Sequence, residues 1–146
     1  MRSAEARRTA LVVSLIAACA AGCTPREKEE VAILAQAVAR VRAAPDALKR
    51  DAVPMLRDAP CSAPELCATK ERCLKFAERT ALGLQRKSEV EAALADVKAG
   101  KLRADDPAAM ALPGKLDEAA EALKEGEASL LQCDAELAQL KRRWQL

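Results

Sequence analysis

Apolar side chains recur every three or four residues over most of this chain, the period of helices with one buried stripe. Val31, Leu34, Val38 and Val41 form the first stripe. Ahead of it, Thr24-Pro25-Arg26-Glu27 reads as a capping box with proline at the first helical position, and Pro45 ends the segment. Asp46 to Arg57 reads as a broken helical stretch, interrupted at Pro54, with Leu48, Met55 and Leu56 as its apolar residues. Pro60 marks a loop, and Ser62-Ala63-Pro64-Glu65 marks a second capped start. From Glu65 to about Ala99 no proline intervenes, which predicts a helix roughly 50 Å long. One face of it carries Cys73, Phe76, Thr80, Gly83, Val90, Leu94 and Val97. Lys87 interrupts that face, and its stem can lie along apolar surface. Gly100 ends the helix, and Leu102 to Gly114 form the connection, with a short capped turn at Asp106-Pro107 and a break at Pro113-Gly114.

The last segment has the clearest pattern. Leu116, Leu123, Leu130, Leu137 and Trp144 repeat every seven residues, and Ala119, Gly126, Cys133 and Leu140 follow three residues after the first four. Such a seam predicts left-handed packing against another helix. Two long helices joined by a short connection run antiparallel. The expected fold is therefore all-α: a long coiled-coil-like hairpin over residues 61–146, with the helix and broken segment of residues 23–60 laid alongside. Ala119, Gly126, Gly83 and Thr80 leave room between the long helices, for close approach of the backbones or for a small apolar ligand.

Cysteines add a constraint. Cys73 and Cys133 both lie on apolar stripes. A turn centred near Arg103–Asp105 makes the numbers of facing residues total about 206, as Cys73 and Cys133 do. Cys67 and Cys73 are about 9 Å apart along one helix, beyond the roughly 7 Å between Cα atoms that a disulfide spans. Cys61, in the loop before that helix, can fold back to Cys67. The preferred bridges are thus Cys73–Cys133 and Cys61–Cys67, and the alternative set is Cys67–Cys133 with Cys61–Cys73. These spacings match neither a zinc site nor a thioredoxin-like motif, and the chain has no histidine, so no metal is expected.

The front of the chain differs from the rest. A short basic segment, Met1 to Arg8, precedes an apolar run, and 17 uncharged residues separate Arg8 from Arg26. This is the layout of a secretion signal, and it lies at the low edge of what could span a bilayer uncleaved. An ordinary signal needs no cysteine at its end, yet Ala20-Ala21-Gly22-Cys23-Thr24-Pro25 puts one after small residues. The segment resembles the lipobox signals of bacterial lipoproteins over residues 1–24. The resemblance implies cleavage before Cys23, a diacylglycerol on its sulfur and a further acyl chain on the new amine. Cys19, with Ile16 three residues upstream, is the alternative attachment point. Durable membrane attachment takes two or more acyl chains, which such a cysteine supplies, so no other cofactor is expected. Thr24 after the cysteine leans by the family's retention rule towards the outer membrane, facing the periplasm.

Removing residues 1–22 takes away Arg2, Arg7, Arg8 and Glu5, leaving 21 basic and 21 acidic residues and no net charge. No basic excess points to nucleic acid. Phe76 and Trp144 are the only aromatic residues, so the core is thin and gains from staples or partners. Ser88 and Ser129 read as solvent-facing, and neither has a histidine to serve as its base. Adjacent acid pairs such as Asp117-Glu118 suit first turns of helices rather than a cleft. Lys141-Arg142-Arg143 suits a helix C-terminus. The expectation is a lipid-anchored envelope protein without enzymatic activity that acts as a structural or protein-interaction module. Its partners would be the membrane, through the anchor, and another envelope protein or its own copy. The alternatives are an apolar-ligand binder and an envelope regulator.

Overall fold

A computed structural model describes residues 24–146; the signal, with Cys19 and Cys23, lies outside the described residues. The elements are α1 (Thr24–Ala43), a 3-10 turn (Asp46–Leu48), α2 (Lys49–Arg57), α3 (Pro64–Lys98), a single turn α4 (Pro107–Met110) and α5 (Leu112–Trp144). No strand occurs among the described residues. The long helices α3 and α5 form the expected antiparallel hairpin, stapled by Cys73–Cys133, while Cys61–Cys67 ties the preceding loop to the first turns of α3.

The register is the one the cysteines imply. Gly83 lies against Leu123 and Gly126 against Thr80, pairs whose numbers total the same 206 as Cys73 and Cys133. These contacts leave no space. A Cβ on Gly126 would stand 2.6 Å from Thr80 Oγ1 and 3.1 Å from its backbone nitrogen. A Cβ on Gly83 would stand 2.6 Å from Leu123 Cγ. The glycines therefore serve close backbone approach, and side chains fill the room beside them.

Gly100 ends α3 with φ 72°. Its N–H donates to the Val97 carbonyl (3.1 Å), and Lys101 N–H donates to the Asp96 carbonyl (2.9 Å), which is the Schellman arrangement. Asp106 caps α4 by accepting from Ala108 N–H at 2.8 Å. Two expected breaks are absent. Pro113 and Gly114 sit in the first turn of α5, where a missing N–H costs nothing. Pro54 lies inside α2. Both Pro54 and Arg50, whose carbonyl loses its donor, are exposed, so water satisfies the group. The capping box expected at Thr24 falls at the margin of the described residues.

Shorter elements cover one side of the hairpin at one end, here called the base. Helix α1 climbs from the base: Glu30 meets Ser62, and Arg42 bridges Asp134 at 2.8 Å. Helix α2 descends along α3, with Arg50 donating to Gln85 (3.0 Å) and Arg57 to Glu78 (2.7 Å). Lys49 joins the two by donating to the Val41 and Arg42 carbonyls at the end of α1 and, closest, to that of Ala44 just beyond it (2.9 Å). All four residues of the first stripe, Val31, Leu34, Val38 and Val41, are buried, as is Leu56, whereas Leu48 is exposed. Val53, not among the expected apolar positions, is buried too.

The core cluster that the long helices share with α1 and α2 reaches to Ala81 on α3 and begins at Cys133 on α5. Beyond it the start of α2 and the 3-10 turn still lie against α3 as far as Glu91, and the last turns towards the tip run on as a pair of helices. Two stability predictions follow from this packing. Gly126→Ala should destabilise by about 1–2 kcal/mol in denaturant unfolding, because overpacking outweighs the helical preference for alanine. Replacing Cys73 and Cys133 by alanine should cost about 4 kcal/mol and replacing Cys61 and Cys67 about 2, given their unequal loops of 60 and 6 residues.

Candidate interaction surface

The seven-residue leucine line does not all face α3. Besides Leu137, the buried α5 positions are Leu112, Ala119, Ala122, Gly126, Ser129, Cys133 and Leu140, most of them small. The line Leu116, Leu123, Leu130, Leu137 and Trp144 lies to one side, towards α1. Leu137 is 6% exposed, and Leu130 and Trp144 pack partly buried against the core. Leu123 leans over Gly83, and Leu116 is 51% exposed. Helix α5 thus has a stripe wider than a two-helix seam because its lower half meets two neighbours. The upper members of the line lose their cover where α1 stops at Ala43. On α3, Leu94 belongs to the expected face yet is 44% exposed, while Val90 beneath it is buried. Ser129, expected at the surface, is buried in the hairpin, and Ser88 is exposed.

The opposite flank is polar. Arg72 pairs with Glu136 (2.8 Å), Arg79 with Glu125, and Arg86 with Glu118 (3.9 Å). These rungs are partly exposed and contribute little each. A shallow groove of about 590 Å³ between α1 and α5 is lined by Val38, Arg42, Asp134, Leu137 and Lys141 among others.

At the base, the Ser62–Glu65 segment does not form its expected cap. The N-cap of α3 is Ala63, with no side-chain bond. Ser62 instead donates through its N–H (2.7 Å) and its hydroxyl (2.8 Å) to one oxygen of Glu30, while Arg26 Nε donates to the other (3.0 Å). Glu30 is 3% exposed, and a buried carboxylate needs such donors more than a helix end open to water needs a cap. Glu65 accepts two bonds from Arg143, at 2.6 and 3.0 Å, and so joins the start of α3 to the end of α5. Of the terminal basic trio, Arg143 is thus engaged in a bidentate pair and Lys141 lines the groove.

No group of three or more His, Cys, Asp or Glu side chains is placed to hold a metal among the described residues. No described helix is long and apolar enough to cross a membrane. The chain shows no significant match to a protein-family model, to a curated protein or to a solved structure. Only its own geometry bears on what it does.

The base should loosen in acid. The Ser62 hydroxyl bond, aided by Arg26, holds the Glu30 carboxyl below its ordinary 4.5, and the Arg143 bond does the same for Glu65. A carboxyl depressed in the folded state stabilises above the ordinary value, and this is lost as pH falls through the folded one. Tm should therefore hold from pH 7 to about 5 and drop below about 4.5. Ser62→Ala should lower Tm at pH 7 and flatten the acid drop; an unchanged profile would show that Glu30 is not held this way.

Proposed function

We propose that this chain is a lipid-anchored, non-enzymatic interaction module of the bacterial envelope. In this reading the protein is a rod standing on the periplasmic face of a membrane, the outer one favoured, with its outer end presented to another protein. One observation carries it: α1 begins at the base, where Arg143 grips Glu65, and the bare end of the hairpin points the other way. Acyl chains on Cys23, directly before Thr24, would fix the base to the lipid surface. The tip at Gly100 to Met110 would then stand about 50 Å out, the length of α3. The leucine-lined outer half supports the reading as well, since exposed apolar side chains on a rod tip suit a protein contact better than solvent.

Apolar-ligand binding between the long helices draws no support from the fold, because the sites of Gly83 and Gly126 are filled.

Intact mass of the protein extracted from membranes tests the anchor. The expected species begins at Cys23, carries diacylglycerol with or without a third acyl chain, and has four further cysteines oxidised in two bridges. Cys23→Ala should leave an unacylated precursor lacking that mass increment. Recovery of the unmodified full-length chain from wild-type cells would overturn the reading.

A further inference from the structure

We propose that Cys61–Cys67 is a reversible thiol–disulfide exchange site whose reduction releases Ser62 from Glu30 and loosens α1, while Cys73–Cys133 stays closed. The co-reactant is a dithiol, such as the paired cysteines of an exported thiol reductase. The device needs the fold alone and not the lipid anchor, so it goes beyond the interaction-module reading.

The two bridges differ in access. Cys73 and Cys133 are fully buried between the long helices. Exchange requires an attacking sulfur to reach a bridge sulfur, so this bridge is shielded until the hairpin opens. Cys61 and Cys67 are half-buried, and Pro60, Ser62, Pro64 and Ala68 around them are exposed. A thiolate of the dithiol attacks one of these two sulfurs, a mixed disulfide forms, and the other sulfur leaves as a thiolate. The second thiol of the dithiol then displaces the sulfur still bound. Cys61 and Cys67 end as two thiols and the dithiol ends as a disulfide, so two electrons and two protons have passed. The fold outlasts this step, because the bridge spans a separation of only 6 residues and other ties hold its surroundings. Lys70 Nζ donates to the Ala59 carbonyl (2.6 Å) ahead of the loop, and Arg143 holds Glu65 behind it.

Between those ties stands Ser62, the neighbour of Cys61, with two claims on it. With the bridge closed it gives its N–H and its hydroxyl to Glu30 of α1, and α3 starts after Ala63 without a side-chain cap. Yet Ser62-Ala63-Pro64-Glu65 has the spacing of a capping box, and the first N–H groups of a helix lack partners within it. Opening the bridge frees the loop to turn the Ser62 hydroxyl back onto the Glu65 N–H. Helix α3 then gains one residue, and Pro64 stays within its first turn, where a missing N–H is harmless. Glu30 loses both Ser62 bonds and keeps Arg26. A buried carboxylate short of donors favours hydration, so the first turns of α1 loosen from the base. One bond thus chooses between a long-range clasp and a local cap, which makes the loop a two-state element under redox control.

The test uses the full chain, purified from cells with both bridges formed, in dithiothreitol without denaturant. Thiols are trapped with N-ethylmaleimide and assigned by peptide mass. Cys61 and Cys67 should label at least about a hundredfold faster than Cys73 and Cys133. In the same samples, amide hydrogen exchange over residues 28–36 should quicken at least about tenfold on reduction and slow again on reoxidation. The double variant Cys61→Ser, Cys67→Ser should exchange fast without any reductant, with circular dichroism and an intact Cys73–Cys133 bridge showing that the hairpin is folded. Ser62→Ala should exchange fast with both bridges closed, and reduction should then add less than about twofold. Labelling of all four cysteines at one rate would overturn the proposal. So would selective labelling that leaves exchange in α1 unchanged, or a Ser62→Ala chain that responds to reduction as strongly as the wild type.

Discussion

The contact on which the structure depends is the close approach of α3 and α5, fixed at one height by a buried disulfide. Cys73 and Cys133 are fully buried, and their Cα atoms are 4.9 Å apart. Above them Thr80 meets Gly126, and Leu123 meets Gly83, with no room for a Cβ. A seam made of such small residues buries little apolar area per residue. It gains instead from dispersion at short range and from a cross-link that shrinks the unfolded ensemble. With only Phe76 and Trp144 as aromatic residues, the core has few large side chains to draw upon. The staple and the added layer of α1 and α2 supply what the bare hairpin lacks.

That layer is also why the molecule is uneven along its length. The core of valines and leucines from α1, with Val53 and Leu56 from α2, closes over the lower hairpin and stops. Polar ties hold it there, chief among them the buried Glu30 with donors from Ser62 and Arg26. The upper hairpin has a seam and a charged flank, and beyond the 3-10 turn, which lies against α3 as far as Glu91, it has no third layer. Local stability should follow that division, since helices with few buried contacts open more readily than those in the core.

Much of the fold was legible in the sequence. The 3-4-3 stripe of α1, the two long helices, their antiparallel register and both cysteine pairs follow from spacing and helix geometry. What spacing could not reveal was which neighbour each stripe faces. The heptad leucines marked an apolar line on α5, yet the seam against α3 uses Ala119, Ala122 and Ser129. The lower members of the line serve α1, a partner 92 residues away in sequence at Arg42–Asp134, while Leu123 leans over Gly83 of α3. Ser62 and Glu65 carry a capping signature, but long-range partners, Glu30 and Arg143, outbid the local one. Pro54 looked like a stop because local chemistry says so, and the helix continues because its orphaned carbonyl is wet. The proposed lipid attachment at Cys23 was readable as a processing signal in the sequence, and it lies outside the described residues.

The heptad repeat has a cost of its own. Arg72, Arg79 and Arg86 are spaced by seven, as are Glu118 and Glu125, and so are the leucines. Sliding one long helix past the other by one heptad, about 10 Å, would re-form two rungs with new partners, Arg72 with Glu125 and Arg79 with Glu118. It would also bring Cys67, rather than Cys73, to within about one residue of the level of Cys133. Charge and leucine periodicity alone leave these two rods nearly degenerate; the glycine notches and the choice of sulfur partner decide between them. The sulfur to which Cys133 is joined therefore also fixes which of the two heights the helices take.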